Sequence, residues 1–163
     1  MKKLLIAALL GFASTASIAA DTPESYISVS VGEGRYKFAG DHESHTGFGV
    51  AFGQTISEIA GYELGYANLG HVDFADGTGH SFYLAGVGRY PVNDAFSVYG
   101  KIGPTVNYLS GDESETRVRL LLGAGVSYQF DKHWAATLEY THFGKSLGLT
   151  PTLWSVGARY SFQ

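Results

Sequence analysis

The chain of 163 residues suits one domain, and its 22 glycines beside 11 tyrosines and 10 phenylalanines favour strands over helices. Its formal charge of −4 excludes nucleic acid as a partner, because that affinity rests on cationic contacts to phosphate. The lack of cysteine excludes disulfide staples and thiolate metal sites.

Residues 1–20 read as an export signal, with Lys2 and Lys3 basic, residues 4–12 apolar, and small residues leading to cleavage after Ala20, or alternatively Ala19. The apolar run is far shorter than the ~20 residues a membrane-spanning helix requires. Without Lys2 and Lys3, the domain at residues 21–163 carries 9 basic against 15 acidic side chains, a charge of −6.

In the first strand Ile27, Val29 and Val31 alternate with Ser28, Ser30 and Gly32, and the phase slips near Glu33 and Arg35, which predicts a bulge or exit from the membrane. Residues 39–46 read as a polar loop. The second strand sets Phe48, Val50 and Phe52 against Gly49, Ala51 and Gly53, and a tight turn follows at residues 57–60. The third sends Tyr62, Leu64 and Tyr66 outward and Glu63 inward, with the longest loop expected at residues 70–80. In the fourth, Phe82, Leu84 and Tyr90 face outward, which turns Arg89 inward. After a turn at Pro91, Val92, Asn93 and Asp94, the fifth strand places Tyr99, Lys101 and Thr105 inward, with Pro104 a misfit for a ladder donor.

An acidic loop at residues 110–116 leads into the clearest hairpin of the chain, residues 117–143. Val118, Leu120, Leu122, Ala124, Val126, Tyr128 and Phe130 lie on one face, and after an Asp131, Lys132, His133 turn so do Trp134, Ala136, Leu138, Tyr140 and His142. The alternate positions, among them Ser127 and Glu139, read as small or polar. Each run matches the ~9–11 residues of a tilted membrane strand, with aromatics at the turn end. After a loop at residues 144–152, the last strand sends Trp154, Val156, Ala158, Tyr160 and Phe162 outward and Arg159 inward.

This pattern predicts an all-β fold: an eight-stranded antiparallel up-and-down transmembrane β-barrel, in which closure pairs every backbone donor in lipid. Leu120, Leu122, Tyr128, Phe130, Trp134, Tyr140, Trp154, Tyr160 and Phe162 are the expected lipid-facing and girdle residues. The alternative, an exported lipocalin-like barrel with the bulky face inward, fits worse, because an eight-stranded interior is only just wide enough to be filled by side chains and could not house this many aromatics.

The segments GYELGYANLG, YPVNDAFSVYGKIG, GAGVSYQF and LEYTHFG, with the closing WSVGARYSF, resemble the membrane domain of OmpA-like proteins and the related OmpX/Ail group over essentially the whole mature chain. The resemblance implies residence in the bacterial outer membrane, contact with its lipid and lipopolysaccharide, recognition of the last strand by the barrel-assembly machinery through Phe162, and a structural or surface-interaction role. A small or gated pore is the alternative. The extracellular partner is left unnamed. By motif matching, Glu63, Lys101 and Glu139 retain the family's luminal charge, whereas Ser127 and Thr137 stand where an acid and an arginine are frequent. The family's periplasmic peptidoglycan-binding domain is expected to be absent, and cell-wall tethering is not carried over.

Register arithmetic adds two expected pairs. A sum of about 152 for the third and fourth strands opposes Glu63 to Arg89, and a sum of about 296 for the seventh and eighth brings Glu139 against Arg159 directly or diagonally, with Lys101 as a further cation in the network. A lipid A-modifying enzyme is the sharpest rival. A deacylase of this size needs Ser two residues after a late-strand His, but Phe143 and Gly144 follow His142, so no catalytic residue is assigned. The loop acids and histidines, including Asp41, Glu43, Asp73, Asp76, Asp112, Glu113 and Glu115, lack metal-ligand spacing, and no metal or other cofactor is expected.

Overall fold

The computed structural model describes residues 23–38, 41–72, 77–110, 116–144 and 150–162. The expected signal segment lies outside the described residues, as do Asp73, Asp76, Asp112, Glu113, Glu115 and Gln163. The strands are β1 (Ser25–Phe38), β2 (Asp41–Ser57), β3 (Ala60–Val72), β4 (Gly77–Pro91), β5 (Phe96–Ser110), β6 (Thr116–Gln129), β7 (Trp134–His142) and β8 (Thr150–Phe162). Each pairs with its sequence neighbours, and β8 returns to β1, closing one antiparallel barrel.

Alternation dictates which side chains meet which solvent. Val118 is 63% exposed and Leu120 52%, while Leu121 between them is fully enclosed. The outer wall is apolar over the height of a bilayer, which water would not tolerate and lipid does. Aromatic contacts belt its two ends. Trp134 packs on Tyr160 at 5.0 Å and Tyr160 on Phe162 at 5.2 Å at the end carrying the short turns; Tyr140 packs on Trp154 at 4.8 Å towards the other.

Several sequence expectations change. The slip near Glu33 is no bulge: β1 keeps unbroken register with β2 and with β8 past Arg35. Alternation persists, and the outward residues become polar because the strand has left the apolar band. There Arg35 Nε donates to Glu33 Oε1 at 2.9 Å. The loops expected at residues 39–46 and 70–80 are largely strand, since β2 begins at Asp41 and β3 and β4 reach Val72 and Gly77. Pro104 sits within β5 on the outer wall. The β4–β5 ladder skips Leu84 and Ala85 beside it, as expected where the strand has no N–H to give, while pairing with β6 continues through Leu120.

The β3–β4 ladder is irregular towards its far end. Its register shifts between Asn68 and His71, Gly70 adopts φ 87°, and Asn68 Oδ1 accepts the Gly70 N–H at 2.9 Å. Leu69 lies inside on the same face of β3 as Glu63 and Ala67, and a Cβ on Gly34 would come within 2.5 Å of its carbonyl oxygen.

Candidate functional site: the barrel lumen

Three inward positions on alternate strands supply the charge at the centre of the lumen. Glu63 of β3, Lys101 of β5 and Glu139 of β7 converge, with Lys101 Nζ 2.6 Å from Glu63 Oε1 and 2.7 Å from Glu139 Oε2. One ammonium thus bridges two carboxylates, away from bulk solvent. Hydroxyls take up the remaining acceptor capacity. Tyr26 and Tyr83 donate to Glu63 at 3.0 and 2.7 Å, and Tyr99 and Thr141 donate to Glu139 at 2.9 and 2.6 Å. Charge-assisted bonds of this kind are about twice as strong as neutral ones. The Tyr83 and Tyr99 rings also face the ammonium, their centroids 5.9 and 5.7 Å from Nζ.

The tyrosines reach inward because each lies against a glycine directly across its ladder. Tyr26 pairs with Gly53, Tyr83 with Gly65 and Tyr99 with Gly125. A Cβ on Gly65 would fall 2.3 Å from the Tyr83 ring, so a larger residue would push the phenol out of reach of its carboxylate. An inward tyrosine opposite a glycine was the available sequence signal for these donors, of which only Tyr99 had been placed inward.

The two register-based ion pairs do not form. Glu63 opposes Ala85, and Arg89 opposes Tyr99 on its β5 side, because the observed β3–β4 numbers sum to 148. Glu139 opposes Ser155 and Arg159 opposes Ala135, a sum of 294. In each case the arginine lies four residues along its strand from the residue that opposes the acid, about 13 Å away. Both arginines face inward at the short-turn end. Arg159 donates to Ser127 Oγ at 2.9 Å and lies over the Tyr26 ring at 5.1 Å.

On the opposite side of the charge cluster the lumen turns apolar. Ala67, Leu69, Ala85, Leu121, Phe143 and Leu153 form one buried cluster, with Tyr83 packed against it. Reading this inner face as only small or polar was wrong: Leu121 and Leu153 are inward strand residues, and Phe143 turns in just after β7. Gly144 follows at φ 71°, and Asn107 Nδ2 donates to the Phe143 carbonyl at 2.8 Å. Ser81, Thr105 and Asn107 bond among themselves along the same wall, Ser81 Oγ meeting Thr105 Oγ1 at 2.6 Å. What remains open beside the charges is a cavity of about 40 Å³.

The predicted outer-wall residues lie away from this site. Leu120, Leu122, Tyr128, Phe130, Trp134, Trp154 and Phe162 are exposed on the wall, with Tyr140 and Tyr160 in the aromatic contacts above. His142 pairs with Leu122 and Thr152 near the rim and takes no part in the luminal cluster.

Comparison with known proteins agrees with this architecture. Outer membrane protein A of Yersinia pseudotuberculosis is 29% identical over 197 residues, covering 99% of this chain and 56% of that protein; the Serratia marcescens protein is 28% identical over 203 residues with the same coverages. The chain therefore spans about half the length of these relatives. Among solved structures, Ail of Yersinia pestis matches with a TM-score of 0.64 at 22% identity, covering 86% of this chain and 99% of Ail. Neisserial surface protein A matches at 0.65 and 14% identity, covering 85% of this chain and 97% of the other. The model of the outer membrane protein β-barrel domain matches residues 5–162, so the chain belongs to that family, as an OmpA-like barrel of the bacterial outer membrane.

Proposed function

We propose that this barrel has a structural or surface-interaction role in the envelope and is neither an enzyme nor an open pore. The filled lumen carries the reading. A lysine clamped between two carboxylates, with Leu69, Leu121, Phe143 and Leu153 stacked beyond it, leaves no wide aqueous path along the axis. A small or gated pore is the second reading, favoured by the polar half of the lumen below that apolar cluster. Catalysis has less support: His142 sits near the rim among outward-facing residues, without a serine at deacylase spacing.

The outer wall supports contact with membrane lipid and lipopolysaccharide, and the outward Phe162 on β8 supports recognition of the last strand by the barrel-assembly machinery. Ail has been solved in complex with the heparin analogue sucrose octasulfate, and by analogy a surface ligand for this chain would bind at the long-loop end. The deciding experiment is conductance of the purified protein in planar bilayers beside an assay for lipid A modification. Silence in both is expected. A wide, continuously open channel, or acyl chains removed from or added to lipid A, would overturn the proposal.

A further inference from the structure

Two luminal arginines stand outside the central ion-pair cluster. Lys101 takes both Glu63 and Glu139, which leaves Arg89 and Arg159 without an ion-pair partner among the described residues. Arg159 shares the wall of one cavity with Lys101, Glu63 and Glu139, and Arg89 sits in a second crevice. Arg159 is only 8% exposed, yet of its five N–H donors the structure engages one, on Ser127 Oγ. Arg89 lies in the adjoining crevice beside Tyr26 and Thr55, close enough for each arginine to feel the other's charge. The acid whose field reaches Arg89 is Glu24, before the start of β1, and Glu58 lines the same crevice. Neither makes an ion pair with it.

A buried guanidinium with most of its donors idle is expensive, and a second cation nearby makes it more so. The cavity of about 40 Å³ has Arg159 in its wall with the hydroxyls of Ser28, Ser30, Thr137 and Ser155, and also Glu63 and Glu139, whose charges Lys101 engages. One water needs roughly 10–15 Å³ measured this way, so the space admits a monatomic ion with one or two waters and is too small for a lipid phosphate or a peptide carboxylate. We propose that the short-turn end of the lumen binds a small inorganic anion of the chloride class, held by Arg159 and the cavity hydroxyls, with Arg89 contributing its field from the neighbouring crevice. The site is independent of whether the barrel conducts.

The test uses the full mature chain folded in zwitterionic micelles, with gluconate exchanged for chloride at constant ionic strength. Gluconate is too large for the cavity. Chloride at about ten times its dissociation constant should shift the unfolding equilibrium about tenfold towards the folded barrel and then saturate. Arg159→Gln should abolish the chloride response, and Arg89→Gln should weaken it. Identical curves in both salts, or a full response in Arg159→Gln, would overturn the proposal by showing that water alone solvates the guanidinium. Should Arg159→Gln fail to fold, crystals of the unaltered protein grown in bromide decide the matter. An anomalous peak beside Arg159 is expected, and a lumen without one refutes the site.

Discussion

Replacing Lys101 by methionine tests the luminal cluster most directly, because this one change strands two buried carboxylates together. The ammonium makes contacts of 2.6 and 2.7 Å, and both acids lie where water cannot replace it. Removing one partner of a buried pair costs about 3–5 kcal/mol, and Lys101→Met belongs at the top of that range. Glu63→Gln or Glu139→Gln alone should cost less, since Lys101 keeps its other carboxylate in each. The triple variant Lys101→Met with Glu63→Gln and Glu139→Gln removes all three charges while leaving carbonyl oxygens to accept from Tyr26, Tyr83 and Tyr99. It should be more stable than Lys101→Met by about 2 kcal/mol or more, as uncharged replacements of buried ion pairs generally are. Urea unfolding in detergent micelles, followed by fluorescence of Trp134 and Trp154 and by the shift in gel mobility on boiling, measures all four. A triple variant whose loss equals the sum of its parts would refute the coupling on which the argument rests.

On the lipid face, Leu122→Arg should cost about 2–4 kcal/mol near the bilayer midplane, whereas Val92→Arg in an exposed turn should stay within about 0.5 kcal/mol. Unfolding from vesicles compares the two, and equal tolerance would place Leu122 elsewhere. In the apolar half of the lumen, Phe143→Ala empties the largest of the fully enclosed side chains and should cost about 3–5 kcal/mol. The same variant should raise the frequency of brief conductance events in planar bilayers; unchanged stability would mean that the strand ends collapse into the gap.

Alternation made the strand count and the facing of Glu63, Lys101, Glu139, Arg89 and Arg159 legible, because side-chain direction depends only on whether a position is odd or even along a strand. Register is a different quantity. Moving a pairing by an even number of residues keeps every side chain on its face and changes every partner. The expected Glu63–Arg89 and Glu139–Arg159 pairs failed in just this way: the sums moved from about 152 to 148 and from about 296 to 294, even steps that keep all four side chains inward while neither pair meets. The β3–β4 error traces to treating residues 70–80 as one loop, when the strands continue past a bulge at Asn68 to His71. The apolar plug was hidden for a related reason. Leu121 occupies an inward position within a run of leucines that reads as lipid-facing, and Phe143 enters the lumen from beyond the last regular residue of β7. Cross-strand chemistry narrows the registers that parity leaves open. A luminal tyrosine needs a glycine opposite it to lie flat, and Tyr26, Tyr83 and Tyr99 each have one, at Gly53, Gly65 and Gly125. The same three pairings bring their phenols to Glu63 and Glu139. Position along the wall and charge at the centre are therefore set together, and a shift of two residues would bring Ala51 or Thr55 against the Tyr26 ring and Glu63 or Ala67 against the Tyr83 ring, leaving a carboxylate without its donor.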